Sequence, residues 1–99
     1  MEVEKWFCMS ASFQILNIGG EVQRAVDWKG KDMVKANNFL NKALEWINLS
    51  IEDPKNINRR EEFTILKEEL IDFFNENKFQ NDSSSIMDYW NSYFTAICR

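Results

Sequence analysis

The chain reads as all-α, an antiparallel up-down-up-down four-helix bundle, and three observations carry that reading. It holds only three glycines and one proline in ninety-nine residues, too few turn formers for a sandwich or barrel. Apolar residues recur at spacings of three and four, the repeat of one helix face. The connections between these stretches are short, which makes successive helices antiparallel neighbours. A chain of this length is a single domain spanning 1–99, and its 44% apolar content is that of a globular protein rather than a disordered one.

The first segment runs roughly from Val3 to Lys29. Met9, Phe13 and Leu16 form one stripe; Ile15, Ile18, Val22, Ala25 and Val26 form another, rotated about the axis. Gly19-Gly20 sits in the middle. Two glycines cost a helix roughly 2 kcal/mol relative to alanine. They therefore call for a reason: a close approach by another helix, a kink, or a break into two helices.

The second segment is the most regular. Met33, Ala36, Leu40, Ala43, Leu44, Ile47 and Ile51 share one face, widened by Phe39 and Trp46. Asp32 is the expected N-cap. Asp53-Pro54 is the expected stop, because the residue before proline is pushed out of the α region. The third segment opens at Asn58, with Glu61 at capping-box spacing. Phe63, Leu66, Leu70, Phe73 and Phe74 form its apolar face, and the polar run Asn75 to Ser85 ends it. Phe79 is expected to tuck back onto the core. The fourth segment begins near Ser84 or Ser85, with Ser85 and Asp88 as a capping box. Ile86, Tyr89, Trp90, Tyr93, Phe94 and Ile97 form its face. In an up-down bundle the start of the first helix and the end of the fourth share an end, which would bring Cys8 near Cys98.

Composition excludes several functions. No histidine is present, so Ser-His-Asp and Cys-His catalysis and imidazole-ligated zinc are ruled out. The net charge of −4 opposes duplex nucleic-acid binding. That charge is balanced over residues 1–31 and stands at −2 in each of 32–53 and 54–99, so no segment is a basic arm. Two cysteines without C-x-x-C read as reduced thiols. Glu2, Glu4 and Lys5 ahead of the first apolar residues are the wrong pattern for a secretory signal, and Trp6 to Ile18 is too short and polar for a membrane span. The expectation is a cytoplasmic protein with no cofactor, no metal and no membrane partner.

Asn17, Glu21, Arg24 and Trp28 follow at spacings of four, three and four and share a helix face. They are the candidate polar or interface face, with Glu21 orienting Arg24. The plainer alternative is an exposed ion pair beside a tryptophan that covers the bundle end. The carboxylates Glu45, Glu52, Asp53, Glu61, Glu62, Glu68, Glu69 and Asp72 fall on solvated faces. A di-metal bundle site would need Glu-x-x-His, which the chain lacks. Arg59-Arg60 beside a helix start could hold a phosphate, but Glu61 and Glu62 follow and would repel it. Fourteen percent aromatic content is high, and it crowds the first and fourth segments. Either the core is bulky or part of this surface is shared with a partner, most simply in a two-fold homodimer.

The runs Asn17-Ile18-Gly19-Gly20-Glu21-Val22-Gln23-Arg24-Ala25-Val26-Asp27-Trp28, Ala43-Leu44-Glu45-Trp46-Ile47, Leu49-Ser50-Ile51-Glu52-Asp53-Pro54-Lys55-Asn56 and Lys67-Glu68-Glu69-Leu70-Ile71-Asp72-Phe73-Phe74 resemble small bacterial and archaeal helical proteins of the HEPN-like kind. The resemblance implies an up-and-down bundle, commonly a homodimer. Among such proteins are ribonuclease toxins and partners of small nucleotidyltransferases in toxin–antitoxin modules. The ribonucleases carry an arginine with a histidine four to six residues later. Here Arg24 is followed by Trp28, Lys29 and Gly30, and Arg59-Arg60 by Thr64, Ile65, Leu66 and Lys67. No catalytic residue carries over. The expected function is a non-catalytic, dimeric interaction module, partner of a nucleotidyltransferase or toxin–antitoxin type protein. The alternative is an atypical ribonuclease or nucleotide-binding protein.

Overall fold

The computed structural model describes residues 3–78 and 80–97, the side chains of 83, 89 and 93–97 aside. It is all-α: among the described residues there are five α-helices, one 3₁₀ helix and no strand. They are α1 (Val3–Cys8), α2 (Ala11–Trp28), α3 (Met33–Glu52), the 3₁₀ helix Pro54–Arg59, α4 (Arg60–Phe74) and α5 (Ser83–Ile97). The 20-residue α3 is about 30 Å long, nearly the 35 Å of the longest molecular axis. The four long helices close a ring of contacts. α2 packs on α3 and α5, and α4 packs on α3 and α5. The short α1 lies against α3.

The first predicted segment divides, but not at its glycines. The break falls after Cys8. Ser10 there adopts an extended backbone and its side chain accepts a hydrogen bond from the Phe13 N–H at 3.2 Å, which is an N-cap. α2 then runs unbroken through Gly19-Gly20. Trp90 of α5 gives Gly19 its reason. A Cβ at position 19 would lie 2.5 Å from the Trp90 indole Nε1 and 3.0 Å from Cε2. The indole rests directly on the α2 backbone. Of the two stripes on this segment, Ile15, Ile18, Val22, Ala25 and Val26 enter the core. Phe13 and Leu16 face outward, 62% and 57% exposed.

α3 follows its sequence pattern. The Asp32 carboxylate accepts from the Val34 and Lys35 N–H groups at 3.1 and 3.2 Å. Ala36, Leu40, Ala43 and Ile47 are buried, while Met33 at the start of the helix is exposed. Asp53 ends α3 as expected, yet it also starts the next turn. Its Oδ1 accepts from Lys55 N–H at 3.1 Å and Pro54 takes the first position of the 3₁₀ helix. Asn58 already lies inside that helix, so it cannot cap α4, and the expected Asn58–Glu61 box does not form. α4 starts at Arg60 with no side-chain cap and buries Phe63, Leu66, Leu70 and Phe73.

α5 starts slightly earlier than its serines suggested. Asp82 Oδ1 accepts from Ser85 N–H at 2.7 Å, and Ser85 Oγ accepts from Asp82 N–H at 2.8 Å. This reciprocal pair is the capping box; Asp88 is not part of it. Donation from the Ser85 N–H is the largest of the contacts that hold the Asp82 carboxyl below its ordinary range. Ile86 and Trp90 are buried. The expected roles of Tyr89, Tyr93, Phe94 and Ile97 concern side chains outside the described residues, as does the tuck of Phe79. Cys8 is exposed and has no disulfide partner among the described residues; the juxtaposition with Cys98 also lies outside them.

Candidate functional site

Two polar constellations and one apolar face are the sites to weigh. On the Asn17, Glu21, Arg24 and Trp28 face, only the middle pair meets. Arg24 Nη1 donates to Glu21 Oε1 at 3.0 Å. The Arg24 side chain is 55% exposed and the Glu21 side chain 10%. Glu21 Oε2 is buried with no hydrogen-bond partner among the described residues. Asn17 turns away. Its amide donates to Phe13 O at 2.8 Å and to Met9 Sδ at 3.9 Å. Trp28 is covered from elsewhere, with Lys35 Nζ 4.3 Å from its ring centroid. Four residues on one face thus resolve into three separate local arrangements. They present no common point where a reacting atom could sit between a base and an oxyanion donor.

The second constellation is buried and joins α1, α2, α3 and the 3₁₀ helix. Gln14, Ser50, Asp53 and Asn56 are each at most 2% exposed. The Gln14 amide nitrogen donates to Trp6 O at 3.0 Å and to Asp53 Oδ2 at 2.8 Å. Asn56 Nδ2 donates to Gln14 Oε1 at 2.8 Å and to Ser50 O at 2.9 Å. The Trp6 indole N–H donates to Ser50 Oγ at 3.0 Å, and the ring stacks on Trp46 at 5.2 Å between centroids. Lys55 Nζ bridges Asp53 and Phe7 O. Burial pushes the Asp53 carboxyl up, but the bonds from Lys55 and Gln14 outweigh it and hold the group below its usual value. Nearly every polar atom here is consumed by another part of the chain; Asn56 Oδ1 is the buried acceptor left without a partner among the described residues. Such a network fixes how the elements join. Sequence reasoning missed it, because each of these residue types ordinarily reads as surface or turn.

Arg59 and Arg60 are also occupied. Arg59 Nη1 donates to Lys55 O at 3.3 Å, and Arg60 Nε donates to Ile51 O at 2.9 Å. The second bond satisfies a carbonyl in the last turn of α3. Among the described residues no three His, Cys, Asp or Glu side chains are grouped to hold a metal ion. None of the described helices is long and apolar enough to cross a membrane.

The apolar face lies on α2 and α5. Leu16, Gly19, Gly20 and Gln23 of α2 and Met87, Trp90 and Asn91 of α5 line a groove of about 300 Å³. All seven are uncharged. Phe13 stands on the same outward face of α2, one turn before Leu16. A second depression, of about 310 Å³, is lined by Glu68, Ile71, Asp72, Asn75, Glu76 and Lys78 and is mainly acidic.

No family model, no curated protein and no solved structure matches the chain.

Proposed function

We propose that this chain is a non-catalytic helical interaction module of the HEPN-like kind. In this reading the four long helices form the antiparallel up-down-up-down bundle, with α1 as an appendage. The module works in the cytoplasm as a homodimer and engages a nucleotidyltransferase or a toxin–antitoxin type protein. The observation that carries the reading is the outward face of α2, where Phe13 is 62% exposed and Leu16 57% beside an uncharged groove. A contiguous apolar surface of this kind is characteristic of protein contact. The scattered Asn17, Glu21, Arg24 and Trp28 supply no converging chemistry against it.

The test uses purified chain. It should self-associate with concentration, leave RNA intact, and show no melting shift with added nucleotides. RNA cleavage abolished by Arg24→Ala or Arg59→Ala would establish the alternative, an atypical ribonuclease. A nucleotide-dependent rise in melting temperature would favour a nucleotide-binding protein instead.

A further inference from the structure

The contacts of α1 with the rest of the chain are divided unequally. Trp6 is buried, Phe7 half-buried and the other four residues exposed. The indole N–H donates to Ser50 Oγ at 3.0 Å, and the ring stacks on Trp46. Trp6 O accepts from the Gln14 amide at 3.0 Å, and Phe7 O from Lys55 Nζ at 2.6 Å. Both carbonyls belong to the last turn of α1, where backbone acceptors lack their helical partners. Every helix ends in such carbonyls. The indole is therefore the part of α1 that these polar contacts read by residue type.

The receiving side is built without help from α1. Gln14 is fixed by Asn56 and Asp53. Ser50 Oγ donates its own proton to Trp46 O at 2.8 Å, so it presents lone pairs to an indole N–H. Asp53 holds Lys55 Nζ. These orienting bonds run among α2, α3 and the 3₁₀ helix. Recognition groups set in place by their own surroundings, before anything arrives, are what a binding site needs.

We infer that the seat beneath α1 is a recognition site for a tryptophan of a partner protein, carried on a helix that ends within about two residues of it. α1 occupies the site in cis and competes with that partner. The inference rests on the interaction-module reading for there being a partner, and adds a second surface and the chemistry the partner must show. It must bring a ring to stack on Trp46 and an N–H for Ser50, which tryptophan combines in one side chain. It must also bring two helix-end carbonyls, for Gln14 and Lys55.

The tether bounds the affinity. Met9 and Ser10 join α1 to α2, and a link this short gives an effective concentration in the mM range. α1 is seated, so the same segment free in solution must bind the empty seat with a Kd below about 1 mM.

The experiment titrates full-length chain, up to about 1 mM, into a fluorescein-labelled peptide of sequence Val3–Met9 with blocked ends, under reducing conditions. Anisotropy reads binding, and circular dichroism checks that each variant is folded. Trp6→Ala, whose own α1 cannot compete, should bind the peptide with a Kd below about 1 mM. Wild type should bind it roughly tenfold or more weakly, because few of its seats are empty. Glu4→Gly with Lys5→Gly loosens α1 at two exposed positions and should bind a few-fold more tightly than wild type. Lys55→Met in the Trp6→Ala chain should weaken the peptide roughly tenfold and leave free indole unaffected, since indole offers no carbonyl. A folded Trp6→Ala chain that takes up indole but no peptide would overturn the proposal, the seat being a mere void. Equal peptide binding by wild type and variants would overturn it too, by placing the peptide elsewhere. Should Trp6→Ala not fold, wild type against the glycine pair decides, and no gain in the pair overturns the proposal. Such a failure leaves the interaction-module reading standing, because that reading rests on the outward face of α2 and is read by self-association.

Discussion

Replacing each of the two adjacent glycines by alanine separates what each one does. Alanine is preferred over glycine in a helix interior by about 1 kcal/mol at either position. At position 20 that preference acts alone, since the new Cβ meets only the Arg24 tip at 3.5 Å. Gly20→Ala should therefore stabilise the monomer by about 1 kcal/mol. At position 19 the Cβ would come within 2.5 Å of Trp90 Nε1 and 3.2 Å of Cζ2. The indole is rigid and only 4% exposed, so it cannot simply swing aside. Overpacking of this type costs about 1–3 kcal/mol, leaving Gly19→Ala between neutral and about 2 kcal/mol less stable. For a domain of this size each kcal/mol moves the midpoint by about 4–8 °C. Urea and thermal melts followed by tryptophan fluorescence, at concentrations where the monomer predominates, read the difference. Trp90→Phe, which shortens the ring, should remove much of the penalty at position 19. Equal stabilisation by both alanines would refute the reasoning, since it would mean that Trp90 does not rest on the α2 backbone.

The buried network makes further expectations. Trp6→Ala should cost about 3–5 kcal/mol in denaturant melts, because the ring is fully buried and stacked on Trp46; Trp6→Phe should cost much less. Asn56→Ala removes the donor shared by Gln14 Oε1 and Ser50 O. Two buried acceptors are then unpaired, and a loss of about 2–4 kcal/mol is expected. Asp53 titrates below its ordinary 3.8 in the folded chain, so its contribution is fully present above about 3.8 and is lost as pH falls through the lower folded value. The melting-temperature gap between wild type and Asp53→Asn should hold from neutral pH to about 4 and close in stronger acid. A gap that widens below pH 4 would reverse the sign assigned here.

Where a residue's partners are local or its face is regular, the sequence is readable. Asp32 caps α3 because an acid directly before an apolar repeat has one natural acceptor role. The stripes Ala36–Ile47 and Phe63–Phe73 bury as their spacing requires. The break after Cys8 is hidden because Met9, Phe13 and Leu16 keep helical spacing across it, while Ser10, the residue that caps the new helix, looks like one polar residue among several. Gly19-Gly20 draws attention to the wrong place for the same reason: glycine marks either a break or a close contact, and only Trp90, far along the chain, decides between them. Asp53-Pro54 stops one helix and starts another, two roles with one signature. Of the face Asn17, Glu21, Arg24 and Trp28, the i,i+3 pair was legible. The turn of Asn17 onto its own backbone, and the arrival of Lys35 over Trp28, depend on rotamers and on a neighbouring helix.

The attachment of α1 has a consequence for motion. Six residues are too few to stay helical in water by themselves, so α1 keeps its shape only while Trp6 is seated. α2 does not depend on it, because Ser10 caps α2 from its own side of the junction. The N-terminal turn and a half can thus peel away as one unit with the four-helix ring intact. Amide hydrogen exchange in Val3–Cys8 should then proceed through a shared local opening, at a free energy below that of global unfolding. Each opening uncovers Trp46, Ser50 and the Gln14 amide as a transient aromatic and polar floor.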